Sequence, residues 1–359
     1  MSKAAELAKM GEVLTNNQIG GRRNIIINGA MQVAQRGTST AGVTSTEYGT
    51  DRFALQLNSI GTYTLSQSST APDGFSNSFK IDCTTADASP AAGDYSILTH
   101  KIEAQNLQHL GYGTSSAKAI TLSFYLRSNK TGSIGLVIRQ IDNSNKMFSK
   151  EVTINVADTW ERKIVSIPAD TSGVINDDNG TGLDVSWWLN AGSTFSGGSE
   201  MTTWGTETSA NKYLGDLDIG ALTTDEFYIT GVQLEVGEQA TPFEHRSFGE
   251  ELKLCQRYYE KSYNQADAPA TITSTNSLGR QIDDGSIQRD GIHFEIIKRA
   301  NPTVTIYNPS TGSTASVRTN ADANYSATVF AIGENRAIVY YTPSSGEFLF
   351  FHFTAEAEL

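Results

Sequence analysis

The chain has 359 residues, a length that predicts about two globular domains. Only 18% of the residues are charged, and 27 basic against 39 acidic residues give a net charge of −12. A protein that binds duplex nucleic acid needs a surface rich in lysine and arginine, which this acidic composition does not provide. We therefore expect no nucleic-acid partner. With only two cysteines, Cys83 and Cys255, one chain can assemble neither a disulfide framework nor a cysteine-based zinc site.

Residues 1–22 predict a short N-terminal helix that serves as an anchor. Apolar residues recur there at mixed three- and four-residue spacings before Gly20 and Gly21. Such a helix is too short to be stable alone, so it is either a frayed end or a segment that docks on a neighbouring protein. The segment lacks the apolar core of a signal peptide, and no stretch approaches ~18 uncharged apolar residues. We therefore expect synthesis in the cytoplasm and no membrane insertion.

Residues 23–246 predict an antiparallel jelly-roll sandwich. Short apolar runs alternate with turn-forming clusters, and no helical pattern comes between them. Alternation is clearest in 121–126, where Leu122, Phe124 and Leu126 point to one side. In FYITGVQLEVG, five apolar residues alternate across Gly231, which predicts a central strand with a bulge. The predicted strands are NIIINGAMQVAQRG, DRFALQLNS, GTYTLSQSS, SFKIDCTT, AITLSFYLRS, GSIGLVIRQID, KEVTINV, WERKIVSIPA, SWWLNAGS and FYITGVQLEVG.

Residues 247–265 predict a helical connector between two β domains. Ser247 with Glu250 three residues on forms a capping-box pattern. Short strands with turn residues then predict a smaller C-terminal β domain over 266–359. Within it, the run Phe348–Phe353 is apolar on both faces, which predicts that a partner chain covers the second face. An oligomer is therefore expected.

Three stretches resemble proteins of marine tailed bacteriophages. NIIINGAMQVAQRGTS followed by YGTDRF, together with FYITGVQLEVGEQATPFEHRSFGEELKLCQRYYEKS, resembles a module of tail fibres and related virion proteins. RANPTVTIYNPSTG resembles the small β domain that often follows it. The resemblance implies a carbohydrate-binding-like jelly roll, a homotrimeric or otherwise oligomeric appendage of the virion, and no catalysis. Within these stretches, Arg36 and Arg52 are expected to pin loops through charge-assisted hydrogen bonds.

Aromatic residues suggest where a glycan would bind. Sugar recognition uses aromatic faces against the pyranose ring together with a few fixed polar groups. A Gly- and Ser-rich stretch, expected to form loops at the sandwich edge, carries four candidate ligand-binding residues: Trp187, Trp188, Trp204 and Tyr213. Because neighbouring residues of a strand face opposite ways, at least one of Trp187 and Trp188 is expected in the core.

No catalytic or cofactor motif is apparent, so a non-enzyme without a cofactor is expected. A depolymerase built on two carboxylates remains an alternative, because their pairing in space is invisible in a sequence. Asp177, Asp178 and Asp184 either form a solvated turn or supply hard oxygen ligands for Ca²⁺.

These observations favour a tail fibre of the virion. It would attach to other tail proteins through its N-terminus and bind a host surface glycan or receptor through its β domains. A capsid decoration or head-fibre protein is the second interpretation, and a polysaccharide-degrading tailspike the third. A tailspike is disfavoured because the chain lacks the long β-helix repeat such proteins usually need.

Overall fold

The computed structural model describes Lys3 and residues 23–142, 146–281, 288–342 and 347–359. The predicted N-terminal anchor at 1–22 thus lies outside the described residues, apart from Lys3. The chain divides into two compact units. Unit 1 comprises Met1–Gln32, Ala41–Glu47 and Phe53–Arg246, and unit 2 comprises Val33–Thr40, Tyr48–Arg52 and Ser247–Leu359. Two short segments inside the predicted sandwich range of 23–246 therefore belong to unit 2.

Nearly all regular structure in the described residues is β. Short 3-10 turns occur at Ala104–Leu110 and Ser209–Asn211, and one helix, α1, spans Phe248–Gln256. The strands before the helix are β1 Ser39–Val43, β2 Glu47–Thr50, β3 Phe53–Asn58, β4 Thr62–Ser68, β5 Ser78–Thr85, β6 Tyr95–Glu103, β7 Ile120–Ser128, β8 Gly132–Gln140, β9 Lys146–Ile154, β10 Glu161–Ile167, β11 Thr181–Ala191, β12 Met201–Gly205 and β13 Glu226–Val236. Those after it are β14 Tyr259–Lys261, β15 Leu278–Gln281, β16 Gln288–His293, β17 Thr303–Tyr307, β18 Ser316–Thr319, β19 Asn324–Phe330, β20 Arg336–Tyr341 and β21 Phe348–Glu356.

Strands β1 to β13 form two antiparallel sheets that enclose one core. The order is β1-β4-β5-β13-β7-β10 in the six-stranded sheet and β12-β9-β8-β11-β6-β3-β2 in the seven-stranded sheet. The chain passes repeatedly from one sheet to the other, as in a jelly roll. Side chains of both sheets meet in a single apolar cluster, where the rings of Phe124 on β7 and Trp187 on β11 lie 5.6 Å apart. The predicted all-β sandwich class is confirmed.

Strand β13 has the central place that its alternation predicts, between β5 and β7. All five of its alternating apolar side chains are buried. Gly231 has a φ of +62°, and the register with β7 shifts between Thr230 and Gln233, so the bulge is present. A Cβ at Gly231 would lie 2.7 Å from the ring of Phe75, so a larger residue would clash there.

The prediction of a first strand in NIIINGAMQVAQRG is wrong. The segment is irregular, because Asn28 and Met31 adopt φ values of +61° and +54°, which no strand accommodates. It is held beside β13 by the Asn24 side chain, whose Nδ2 donates to the Val232 carbonyl at 3.0 Å. The sequence interpretation also missed strand β6, which lies between β11 and β3 in the seven-stranded sheet.

Helix α1 begins with the capping box that the sequence predicts. The Ser247 side chain accepts from the backbone of Glu250, and the Glu250 side chain accepts from the backbone of Ser247. The helix ends at Gln256, and β14 begins at Tyr259, within the range predicted as a helical connector. Two residues, Arg257 and Tyr258, therefore separate the helix from the strand.

Arginines pin loops in unit 2 as expected. Arg36 Nη2 lies 3.2 Å from both Glu356 and Glu358, and its guanidinium stacks 3.8 Å from the Tyr259 ring centre. Arg52 pairs with Glu358 in the same cluster. The C-terminal residues of the chain are thereby tied to two segments near its start, all within unit 2.

The apolar sequence of β21 does not require a partner chain, because unit 2 itself buries one face of the strand and much of the other, where Phe348 and Phe350 are half-buried. Leu349, Phe351 and Phe353 point into the unit's apolar core and are at most 4% exposed. On the other face, His352 is fully buried and stacks on Tyr263 with 3.8 Å between ring centres. β21 is also flanked by β14, β15, β17 and β18. Its apolar character reflects a central strand and gives no evidence for an oligomer.

The burial of His352 makes unit 2 sensitive to acid. Burial lowers the pKa of His352 below its usual value of 6.5. A base with a lowered folded pKa is protonated more readily in the unfolded chain, so stability is lost as pH falls below about 6.5. We expect the urea midpoint of unit 2 to drop between pH 7.5 and 5. The variant His352→Gln should lose part of that pH dependence, and an identical pH profile in both proteins would contradict the assignment.

Candidate functional site

The outward face of the seven-stranded sheet carries the strongest candidate site. Strand alternation puts Leu183, Val185 and Trp187 of β11 in the core, so Asp184, Ser186 and Trp188 point outward. The same alternation turns Gln56 of β3, Arg139 of β8 and three side chains of β6 to this face. With Phe195 and Lys212 from the following loops, these side chains surround a cavity of about 250 Å³, here called cavity 1. All of them belong to unit 1.

Aromatic rings form one wall of cavity 1. Trp188 lies 5.1 Å from Phe195 and 5.8 Å from Tyr95, measured between ring centres. Phe195 and Tyr95 are half-buried, whereas Trp188 is only 5% exposed. The Trp188 Nε1–H has no hydrogen-bond partner among the described residues. A buried donor in this state is costly unless an acceptor reaches it.

Charged and hydroxyl groups form the floor of cavity 1. Arg139 Nη2 donates to Asp184, and Thr99 Oγ1 donates to the other Asp184 oxygen at 2.5 Å. Lys212 Nζ lies 2.5 Å from Glu207, which also accepts from Arg139 Nη1 at 3.4 Å. Burial acts to lower the pKa of Arg139, but Asp184 and Glu207 outweigh it and raise that pKa. The guanidinium therefore stays charged. Each cation of the floor is thus balanced by a carboxylate.

A close backbone approach holds the loop side of cavity 1 in place. The Lys212 carbonyl lies over Gly135 of β8, and a Cβ at Gly135 would come within 2.1 Å of that oxygen. Gly215 packs in the same way over Ser133, where a Cβ would meet the carbonyl at 2.0 Å. Glycine is required at both positions because the contacting atoms are backbone. The segment 212–215 can therefore lie flat on the sheet and bring Lys212 to the cavity.

A second cavity of about 450 Å³, here called cavity 2, adjoins the first. The chain segments Phe195–Ser196 and Lys212–Tyr213 lie side by side, joined by a hydrogen bond of 2.8 Å from the Tyr213 amide to the Phe195 carbonyl. Phe195 and Lys212 line cavity 1, whereas Ser196 and Tyr213 line cavity 2. The two cavities therefore share one wall. The rest of the lining of cavity 2 consists of a Gly- and Ser-rich loop over 196–199 together with Glu151, Glu200, Leu214 and Gly215.

The structure separates the four aromatic residues predicted to bind a ligand. Trp187 is fully buried between the sheets, and Trp188 lines cavity 1. Both lie in strand β11, not in an edge loop as expected, but they face opposite ways as predicted. Trp204 packs against Tyr112 and Phe148, and its Nε1 donates to the Pro168 carbonyl at 2.7 Å.

Tyr213, the fourth of these residues, is 3% exposed in the lining of cavity 2. Its hydroxyl donates to Asp218 at 2.6 Å. Burial and this hydrogen bond raise the pKa of Tyr213. The ring thus supports the shared wall and presents little surface of its own.

Several cavity residues were missed because they come from distant parts of the chain. Tyr95 and Thr99 lie on β6, whose alternating pattern YSILT was available in the sequence but was not assigned to a strand. Arg139 and Lys212 carry no local signal, since only the sheet order brings them beside Trp188. The alternation D-V-S-W-W does place Asp184, Ser186 and Trp188 on one face.

The calcium alternative is not supported by the positions of Asp178 and Asp184. Asp184 is engaged by Arg139 and Thr99 on the sheet. Asp178 lies in a turn, where its Oδ1 accepts from the Gly180 amide at 2.8 Å. Within the described ranges, no group of three or more His, Cys, Asp or Glu side chains is arranged to hold a metal ion.

Comparisons with known proteins give distant structural similarity alone. No protein-family model matches this chain, and no curated protein matches it. The enzymatically active domain of tailspike protein 4 from bacteriophage CBA120 aligns with 60% of this chain and 21% of its own, at 12% identity and a TM-score of 0.30. The family 11 carbohydrate-binding module of a Clostridium thermocellum cellulase aligns over 55% of this chain and 98% of its own, at 10% identity and a TM-score of 0.29. Part of a Clostridium thermocellum xylanase aligns over 58% of this chain and 30% of its own, at 10% identity and a TM-score of 0.29.

The similarity to the tailspike spans about a fifth of that protein's chain. Among the helices that the structure describes, none is long and apolar enough to cross a membrane.

Proposed function

We propose that this protein is a structural component of a phage virion, a tail fibre, that binds a host surface glycan through cavity 1. The observation that carries glycan binding is the aromatic wall of Tyr95, Trp188 and Phe195 beside a floor of fixed polar groups. A sugar ring has apolar C–H faces and a rim of hydroxyls, so it suits a site of this kind. A ring hydroxyl or ring oxygen would also supply the acceptor that the Trp188 indole N–H lacks.

The virion role rests on the sequence resemblance to tail-fibre modules. On this proposal, residues 1–22 attach the protein to other tail proteins, and three copies assemble. The burial of β21 within its own unit withdraws one argument for the trimer, which now rests on the resemblance. Sedimentation velocity of the full chain tests it, and a monomer at micromolar concentration would contradict it.

We infer that cavity 1 binds its ligand without cleaving it. Glycoside hydrolysis by the common route needs two carboxyl groups that flank the scissile bond, one of them able to deliver a proton. Asp184 accepts from Arg139 and Thr99, and Glu207 is paired with Lys212. Both carboxylates are thus already engaged by partners within the protein, and neither stands free beside the other as such a pair requires. A role in orienting sugar hydroxyls fits them better.

Glycan binding can be tested by one substitution made at two tryptophans. Trp188→Phe removes the indole N–H and part of the aromatic face from cavity 1. Trp160→Phe makes the same change at a half-buried residue packed on Tyr228 of the six-stranded sheet. On an array of bacterial surface oligosaccharides, we expect the wild type and Trp160→Phe to retain the same glycans. The affinity of Trp188→Phe should fall about tenfold, since one net hydrogen bond is worth about 1 kcal/mol and stacking is also lost.

A second variant keeps this test meaningful if Trp188→Phe disturbs the sheet. Gln56→Ala shortens a half-buried side chain of the cavity without touching the core. Weaker binding in both variants, with unchanged circular dichroism, is the expected result. Binding that survives both substitutions, or an array that retains no glycan at all, would overturn the proposal.

A further inference from the structure

We infer that the ligand is an uncharged oligosaccharide that extends from cavity 1 across the shared wall into cavity 2. The inference rests on the proposed glycan binding and specifies its ligand class. Cavity 1 is smaller than the ~300–1,000 Å³ of common ligand pockets, so it suits about one sugar ring. Cavity 2 is larger, at about 450 Å³, and begins where the wall of Phe195 and Lys212 ends. A ring seated on the aromatic wall therefore has space for its neighbours on the other side.

Cavity 2 is lined mainly by polar residues and glycines, and its one aromatic residue, Tyr213, is only 3% exposed. Such a lining suits hydroxyl-rich rings that hydrogen-bond without stacking. Glu200 is fixed in place, because its Oε2 lies 2.6 Å from Lys150 Nζ and its Oε1 accepts from the Glu151 amide at 3.0 Å. The Glu151 carboxylate is exposed at the rim. Loop 196–199 is held at its base, where the Ser199 amide donates to Asn211 Oδ1 at 3.0 Å. Carboxylate oxygens accept hydrogen bonds from sugar hydroxyls, and such charge-assisted bonds are stronger than neutral ones.

The charges of both cavities argue against an acidic glycan. In cavity 1, Arg139 and Lys212 are each compensated by a carboxylate, so the site offers no uncompensated cation to a sugar acid. No lysine or arginine lines cavity 2, and of its two glutamates Glu200 is paired with Lys150, so the like charge there comes from Glu151. The chain as a whole carries a net charge of −12. A uronate or other anionic ring would meet like charge in cavity 2, whereas an uncharged ring would not.

Titration calorimetry of the full chain tests the inference with defined probes. One set is uncharged oligomers of glucose, xylose, mannose and galactose, from one to six units. The other is oligogalacturonates of matched length. We expect at least one uncharged series to gain tenfold or more in affinity between one unit and three or four, with little change when NaCl rises from 20 to 500 mM. Oligogalacturonates should bind at least tenfold more weakly than uncharged oligomers of equal length.

Glu151→Gln locates the added affinity in cavity 2. The variant should weaken binding of the longer oligomers about three- to tenfold and leave the shortest ligand unaffected. Glu238→Gln makes the same change at an exposed residue of unit 1 outside both linings and should have no effect. Three results would overturn this inference. The first is an affinity that does not rise with oligomer length, and the second is a Glu151→Gln variant that binds the longer oligomers as tightly as the wild type does. The third is tighter binding of oligogalacturonates than of uncharged oligomers. If Trp188→Phe still weakens binding in that case, the proposed function survives. Loss of both effects would remove the proposed function as well.

Discussion

Glu260→Gln is expected to destabilise unit 2 by about 3–5 kcal/mol, the usual cost of removing one partner of a buried ion pair. Lys298 is fully buried, and its Nζ lies 2.5 Å from Glu260 Oε2. The same ammonium donates to the carbonyls of Gln256 at 2.5 Å and Ile296 at 3.0 Å. Glutamine keeps the shape of the side chain but removes its charge, which leaves the ammonium uncompensated in the interior.

The pH dependence of this variant separates charge from packing. Burial lowers the pKa of Lys298 even in the wild-type protein, and loss of Glu260 should lower it further. A lysine whose pKa is lower in the folded state than in the unfolded chain destabilises the folded state most at low pH. There the unfolded chain carries the lysine charged, and folding must either bury that charge or release its proton. The stability difference between wild type and Glu260→Gln should therefore be larger at pH 6 than at pH 9.

The control for Glu260→Gln is an exposed ion pair in the same unit. Arg318 and Asp322 form a pair on the surface, where the Asp322 side chain is 79% exposed. Asp322→Asn should cost less than about 1 kcal/mol, as exposed pairs do. The measurement is the protection from hydrogen exchange of peptides that cover β14 and β21, made for both variants. Equal protection of these peptides in the two variants, or a loss in Glu260→Gln that does not change with pH, would contradict the account.

Local patterns predicted the strands whose apolar side chains alternate and failed where a few residues turn the backbone. Alternation in β7 and β13 indicated which side chains enter the apolar core, because one face of each strand packs into it. NIIINGAMQV has a similar apolar composition, yet Asn28 and Met31 turn the chain with positive φ values. Apolar content alone does not reveal such turns, and the contact between them and β13, a hydrogen bond of 2.9 Å from the Val232 amide to the Gly29 carbonyl, is a tertiary one.

The sequence predicts only some features of the aromatic wall of cavity 1. Adjacent tryptophans imply one inward and one outward ring, and the structure shows that Trp188 is the outward one. The charged floor could not be predicted, because Arg139 meets Asp184 only through the pairing of β8 with β11. Sequence position carries no information on such a contact until the sheet order is known. For the same reason, apolar residues on both faces of β21 were mistaken for a sign of a partner chain.

Trp187→Ala is expected to destabilise unit 1 by about 3–5 kcal/mol, as large-to-small changes at buried aromatic residues do. The Trp187 ring is fully buried between the sheets and lies 5.6 Å from Phe124 and 6.4 Å from Phe53. All four tryptophans of the chain belong to unit 1, so tryptophan fluorescence during urea unfolding reports on this unit.

Trp187→Phe is the control that separates lost packing from a lost hydrogen bond. The Trp187 Nε1–H has no hydrogen-bond partner among the described residues, so phenylalanine removes an unsatisfied donor and keeps an aromatic ring against Phe124. Trp187→Phe should therefore cost clearly less than Trp187→Ala. Because Trp188 faces the other way, Trp188→Phe should weaken glycan binding while the fluorescence transition stays near its wild-type midpoint. A Trp187→Ala protein of wild-type stability, or one that loses glycan binding while fully folded, would show that the two faces of β11 are not divided between core and cavity.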